Sequence, residues 1–334
     1  MATPPDTRAP RVPPGRLANP QSRTRRRWLR AGQWLLAVIV LGLAFRALHR
    51  NWTAFRAQPL RVDLEWRWIV CSGVLFLVGY AVLVQTWRAM LAAWHARLDV
   101  VAATRIWTVS NLGRYVPGKL WSIGAMGVMA QRAGVSPIAA SGSAVLSTVV
   151  SVAAGAAVVL VTGSSLLNVP YTGAARSIIV LLVLIAIALV LLPRLMPVAL
   201  RTIERVTGRS LGLRVLPLRA VIYSVIGNVI AWILYGIAFE AFVRGVLGAA
   251  TGASTTYIAV YALSYLVGYL VLFAPAGVGF REASLIAALP AAHLATPAQA
   301  AVIAVASRLW LTVLEIAPGA LFLGWDAVRR RTRG

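Results

Sequence analysis

Arg114-Tyr115-Val116-Pro117-Gly118-Lys119 and Ala274-Pro275-Ala276-Gly277-Val278-Gly279-Phe280-Arg281-Glu282 are the two places where this chain interrupts long apolar sequence with proline, glycine and charge together. Lys119 is the only lysine among 33 lysines and arginines. Lipid offers no hydrogen-bond partner to irregular backbone, so breaks at membrane depth persist only where protein or a watered cavity receives them. The two breaks are therefore the candidate functional site.

The surrounding composition sets the class. Hydrophobic residues make up 59% of the 334, charged residues only 13%, and the mean hydropathy is +0.77. A soluble domain of this length needs more polar surface to cover its core, so the chain reads as an all-α polytopic membrane protein with no soluble catalytic domain. Cys71 is the single cysteine, and the histidines His49, His95 and His293 are far apart. Neither a disulfide framework nor a metal centre is expected, and no cofactor. The sequence also lacks a P-loop and a Ser-His-Asp set, which argues against an enzyme and against ATP-driven pumping by this chain alone. The net charge of +24 falls largely in the N-terminal arm, the loops and the tail. Anionic lipid is thus a nearer partner than nucleic acid.

A bilayer core takes about 20 apolar residues per helix, and runs of that kind lie at 34–48, 68–87, 138–162, 175–192, 219–242 and 298–323. Residues 1–33 read as a disordered basic arm, 34–323 as one membrane domain and 324–334 as a basic tail. Thr24-Arg25-Arg26-Arg27 resembles an export signal superficially, but several spans follow and no small-residue cleavage site is evident, so a charged anchor flank is the preferred reading. Arginine is dense before the first run, across 88–132, across 194–219 and in the tail, whereas 163–175 and 283–307 carry no charge. That asymmetry puts both termini on the cytoplasmic side of a plasma (inner) membrane. The tryptophans Trp28, Trp34, Trp52, Trp66, Trp68, Trp87 and Trp94 cluster near span ends, as interfacial anchors do.

Two segments do not fit simple spanning. Ile106 to Ala130 holds Arg114, Lys119 and a central Pro117-Gly118, with charge at both ends. Gly245 to Phe280 is uncharged throughout, and as one helix it would be about 54 Å long against a core of about 30 Å. Each reads as a re-entrant helical hairpin, entering from opposite faces. Ser136-Pro137 and Thr296-Pro297 follow the two breaks at similar distances, and each is a helix start with a capping side chain and proline in the first turn. The pattern predicts about six transmembrane helices plus two hairpins in an inverted repeat, with halves at 34–162 and 175–323. The alternative is eight spans merely kinked by proline and glycine.

A helix is expected to begin after Gly118 and again after Gly279, each presenting backbone N–H groups and a positive dipole end to an anion. Arg114, Lys119 and Arg281 add full charge there. Intramembrane ionisable residues are functional candidates by default, which selects Arg281 and Glu282. Being adjacent, these two face different sides of a helix and each needs a further partner. Arg308 and Glu315 lie seven residues apart on nearly one helix face, with Thr312 between them, and either can pair with Glu282 or Arg281. The candidate substrate-binding set is Arg114, Pro117, Gly118, Lys119, Pro275, Gly277, Gly279, Arg281, Glu282, Arg308 and Glu315. Glu240, near the end of its span, reads as interfacial. Ser143, Ser147, Ser151 and Gly155 recur every fourth residue, and close helix packing is the preferred reading over a polar track.

At Asn111-Leu112-Gly113-Arg114-Tyr115-Val116-Pro117-Gly118-Lys119, Gln131-Arg132-Ala133-Gly134-Val135-Ser136 and Pro275-Ala276-Gly277-Val278-Gly279-Phe280-Arg281-Glu282, the chain resembles the membrane domain of the lysylphosphatidylglycerol synthase/flippase family. The resemblance spans roughly 30–325. It implies the lipid-moving part without the cytosolic aminoacyl transferase domain, and it does not carry over the identity of the lipid. The functional expectation is a flippase-like protein translocating a phospholipid or a polyprenyl-phosphate-linked lipid between leaflets. Three rivals stand beside it: a lipid-binding platform for a separate glycosyltransferase or synthase, an intramembrane headgroup enzyme using Glu282 or Glu315 as base, and a small-solute transporter.

Overall fold

The structure is a computed structural model that describes residues 64–115, 120–163, 171–207, 216–271 and 277–331. The arm 1–33, the run 34–48, the end of the tail, and residues 116–119 and 272–276 at the breaks lie outside the described residues. Among the described residues the chain is helical apart from short connections. In order these are α1 (Trp66–Ala93), α2 (Val100–Asn111), a 3-10 turn (Leu112–Tyr115), α3 (Leu120–Arg132), α4 (Pro137–Thr162), α5 (Tyr171–Thr207), α6 (Leu218–Leu247), α7 (Ser254–Leu270), α8 (Phe280–Ala291) and α9 (Pro297–Arg331).

Five helices are long and apolar enough to cross a bilayer: α1, α4, Ser177–Leu195 of α5, α6 and Pro297–Trp325 of α9. They contain the runs at 68–87, 138–162, 175–192, 219–242 and 298–323, and they make this a multi-pass membrane protein. Helices α5 and α9 continue beyond the apolar runs, α5 through Pro193 and Pro197 and α9 through Pro318. Proline inside a helix is tolerated in membrane proteins because neighbouring groups re-satisfy the freed carbonyls.

Local chemistry explains where helices begin. Ser136 Oγ accepts from the Ala139 N–H at 3.4 Å with Pro137 opening α4. Thr296 and Gln299 cap α9 reciprocally: Thr296 Oγ1 accepts from the Gln299 N–H at 3.3 Å, and Gln299 Oε1 accepts from the Thr296 N–H at 2.9 Å. Both are the starts read from sequence.

The helices between the long ones are short. Helices α2 and α8 have 12 residues, α3 has 13 and α7 has 17, so at 1.5 Å per residue they extend only about 18–26 Å. Each pair folds back on itself. The backbone at Gly113 approaches Ser122 so closely that a Cβ there would lie 2.9 Å from the Ser122 nitrogen. At the far end of the second pair, Thr251 Oγ1 donates to the Leu294 carbonyl at 3.4 Å, which brings together the entry to α7 and the exit from α8.

Helices α1 and α6 pack along most of their length through glycine. A Cβ at Gly79 would lie 2.9 Å from the Tyr235 ring, and one at Gly245 2.7 Å from Ile69. Close backbone approach of this kind replaces the hydrophobic drive that helices in lipid lack. Several of the remaining contacts come in matched sets: α2 with α3 and α7 with α8, α3 with α4 and α8 with α9, α2 with α9 and α7 with α4. Matching α1, α2, α3 and α4 with α6, α7, α8 and α9 turns each of these contacts into its counterpart, while α5, packed on α4 and α6, has no counterpart among the described helices.

Candidate functional site

Tyr265 on α7 stands between the two breaks. Its hydroxyl accepts from Arg114 Nη1 at 3.4 Å, and its ring centre lies 5.0 Å from the guanidinium carbon of Arg281. Tyr261, one turn earlier, offers Arg281 a second ring at 5.1 Å. Arg114 belongs to the 3-10 turn just before 116–119, and Arg281 to the first turn of α8 just after 272–276. Residues flanking both breaks therefore meet on one tyrosine.

Two ion pairs surround it. Arg114 Nη1 donates to Glu315 Oε1 at 2.7 Å, joining the 3-10 turn to α9. Arg308 Nε lies 3.6 Å from Glu282 Oε1, joining α9 to α8. The second carboxylate oxygen of Glu282 accepts from the Gly279 N–H at 2.6 Å and closes the first turn of α8. This corrects one expectation: the Gly279 N–H at that helix start is occupied by Glu282 and is not offered to a ligand. The physical reason is that a carboxylate three residues into a helix reaches back to the cap more easily than a diffusing anion arrives.

Arg281 has a different status. It is 5% exposed, and its Nη2 has no hydrogen-bond partner among the described residues. An unmet buried donor costs about 1–3 kcal/mol, and more when charged. The two tyrosine faces return part of that, about 0.5–2 kcal/mol for such contacts. A buried orphan of this kind leaves a donor open to an acceptor that the described residues do not supply.

A mostly apolar cavity of about 370 Å³ opens beside these groups. Arg114, Gly277, Arg281, Arg308 and Glu315 all line it, and Thr312 completes the α9 face. Of the remaining sequence candidates, Gly279 caps α8 and Glu282 lies behind the lining, against Arg308. Pro117, Gly118, Lys119 and Pro275 lie outside the described residues. The pairing expected between the α9 charges and 281–282 is present as Arg308 with Glu282, and Arg281 and Glu282 do diverge.

Backbone geometry holds the second break in place. Gly277 has φ +70° and Gly279 φ +88°, both in the region glycine favours. A Cβ at Gly277 would lie 2.6 Å from the Gly268 carbonyl oxygen. The end of α7 and the start of α8 thus touch backbone to backbone.

One reading of a helix face holds and one changes. All four positions of the α4 stripe meet a neighbouring helix: Ser143 Oγ accepts from Trp87 Nε1 at 2.9 Å, Ser147 Oγ donates to Met90 Sδ at 3.0 Å, the Ser151 carbonyl accepts from Trp232 Nε1 at 2.9 Å, and a Cβ at Gly155 would meet the Trp232 ring at 2.8 Å. Ser147 and Ser151 line the cavity as well. Trp87, expected at the interface, is 0% exposed and packs 5.6 Å from the Trp107 ring. Its buried hydroxyl partner on α4 makes an interior position cheaper than the membrane surface. Trp66, by contrast, is exposed.

Sequence reasoning missed Tyr261, Tyr265, Trp107 and Asn228. The available signal for the first two is a tyrosine every fourth residue from Tyr257 through Tyr269 on one helix face. No protein-family model matches the chain, and no curated protein matches it.

Proposed function

We propose that this chain is a flippase-like membrane protein that moves a phosphate-bearing lipid between leaflets, in line with its resemblance to the lysylphosphatidylglycerol synthase/flippase membrane domain. The observation that carries this reading is the gathering of Arg114, Arg281 and Arg308 with Glu315 around one mostly apolar cavity among helices that cross lipid. Guanidinium forks suit phosphate oxygens, and apolar walls suit the adjoining acyl chains.

The architecture supports a transport reading as well. Helices α2 and α3, and α7 and α8, are too short for a core of about 30 Å, which favours two re-entrant hairpins over eight spans. The matched contacts of the two halves, with the site at their meeting point, fit an inverted repeat that exposes the cavity alternately to each face. With the run at 34–48 read as a sixth span, the arginine-rich segments favour both termini on the cytoplasmic side of the plasma membrane. The headgroup binds at Arg281 and Arg114. Rearrangement of the ion pairs to Glu315 and Glu282 accompanies the switch between faces.

Reconstitution tests this. Vesicles containing the full chain and a trace of fluorescent phospholipid are treated with an impermeant quencher. Accelerated loss of the protected inner-leaflet signal is the expected result, and it falls to the protein-free rate with Arg281→Ala. Binding without exchange replaces this reading with a lipid platform serving a separate glycosyltransferase or synthase, and headgroup turnover replaces it with an enzyme.

A further inference from the structure

The charge inventory of the cavity restricts its headgroup more tightly than the lipid reading does. The chain has nine acidic residues in all, and none lies between Val100 and Ile203. Glu315 is the only carboxylate among the described residues lining the cavity, and Arg114 holds it at 2.7 Å. Glu282, just behind, is held by the Gly279 N–H at 2.6 Å and by Arg308 at 3.6 Å. Against these two carboxylates, of which Glu282 Oε1 has an ion-pair contact but no hydrogen bond among the described residues, stand three arginines, all on the lining. Arg114 and Arg308 have carboxylate partners, whereas Arg281 has the rings of Tyr261 and Tyr265 and an Nη2 without an acceptor.

An amine-bearing headgroup meets two obstacles here. Glu315, the carboxylate on the described lining, already receives Arg114 at 2.7 Å, so an ammonium has to share it with a guanidinium. The surplus positive charge of three arginines over two carboxylates also repels a second cation at short range. A phosphate without an amine meets neither of these, and it supplies the acceptor that Arg281 lacks. Of the buried side-chain atoms with no hydrogen-bond partner among the described residues, the two on the lining, Arg281 Nη2 and the Trp107 indole N–H, are donors, whereas Tyr261 Oη and Glu282 Oε1 lie off it.

We infer that the cavity selects lipids whose headgroup carries an anionic phosphate and no amine, with Arg281 as the specificity residue. Aminoacylated and ethanolamine headgroups are rejected. The inference rests on the lipid-moving reading for the source of the phosphate, and it separates this chain from proteins that move aminoacylated lipid.

The test is equilibrium binding to the full chain in neutral detergent by titration calorimetry. The probes are dioctanoyl-phosphatidylglycerol, dioctanoyl-phosphatidylethanolamine, the lysyl ester of the former, and inorganic phosphate. Phosphatidylglycerol binding at least about tenfold more tightly than either amine-bearing lipid is the expected outcome. Arg281→Gln brings the lipids within about twofold of one another, and Arg281→Lys, which keeps the charge and guards against a folding defect, retains part of the preference. Equal affinities in the unmodified chain overturn the inference. So does a preference that survives Arg281→Gln, and so does the absence of any binding. Inorganic phosphate matching phosphatidylglycerol overturns the lipid source. Leaflet exchange read in parallel keeps the two ideas apart: exchange of every lipid alike sinks charge selection and leaves lipid movement standing, whereas selective binding without exchange does the reverse.

Discussion

Gly277 shows how much a single position controls. Its φ of +70° and its approach to Gly268 are two separate demands on the absence of a side chain. Gly277→Ala should cost about 1–2 kcal/mol for the left-handed backbone and a further 1–3 kcal/mol or so for overpacking. Gly134 makes the comparison clean, because its φ is +78° and nothing lies within 4 Å of where its Cβ would be. Gly134→Ala should therefore show the first cost alone. Thermal unfolding of both variants in detergent measures the difference, and equal losses would mean that α7 and α8 do not touch at Gly268. Trp87 supplies another residue-level expectation. With 0% exposure and a hydrogen bond to Ser143, Trp87→Ala should cost about 3–5 kcal/mol, far more than Trp66→Ala at an exposed helix start.

Between elements, the pair Arg114–Glu315 ties the 3-10 turn to α9 across most of the chain. Side-chain exposures of 28% and 12% place it at a partly open edge of the cavity, so its coupling falls below that of a sealed pair. A double-mutant cycle with Arg114→Gln and Glu315→Gln should return a coupling of about 1–3 kcal/mol in unfolding free energy. Strictly additive losses would show that the two side chains do not hold each other. The Arg308–Glu282 contact is longer at 3.6 Å, and its coupling should be smaller. Glu282→Gln carries a second effect, since the same carboxylate caps α8 through the Gly279 N–H. Its loss should therefore exceed that of Arg308→Gln.

For the whole molecule, the two folded-back helix pairs make a topological prediction. In a Cys71→Ser background, single cysteines at Ala96 and Ala133 should react with an impermeant maleimide from one side of the membrane. Cysteines at Ala250 and Ala295 should react only from the other. Straight passage of the short helices would instead place the members of each pair on opposite sides, and that pattern would remove the hairpins. The matched contacts of the halves make the same point from packing: α2 lies on α9 as α7 lies on α4.

What the sequence determined is local. The apolar runs, the serine and threonine caps before Pro137 and Pro297, and the short helices beside the breaks depend on neighbours a few residues away. Hydropathy and backbone chemistry act at that range, so these were legible, and those that fall within the described residues are found in place. The divergence of Arg281 and Glu282 was legible too, because adjacent residues on a helix face apart whatever packs around them. Tertiary structure decided the rest. Arg114 reaches Tyr265 across 151 positions and Glu315 across 201, and no local pattern announces such a meeting. The same holds for the burial of Trp87, the opening of Ser147 and Ser151 onto the cavity and the occupation of the Gly279 N–H. Charge pairing depends on distance and dielectric, which exist only once the helices are assembled, and so which arginine is buried without a carboxylate beside it among the described residues is a property of the fold.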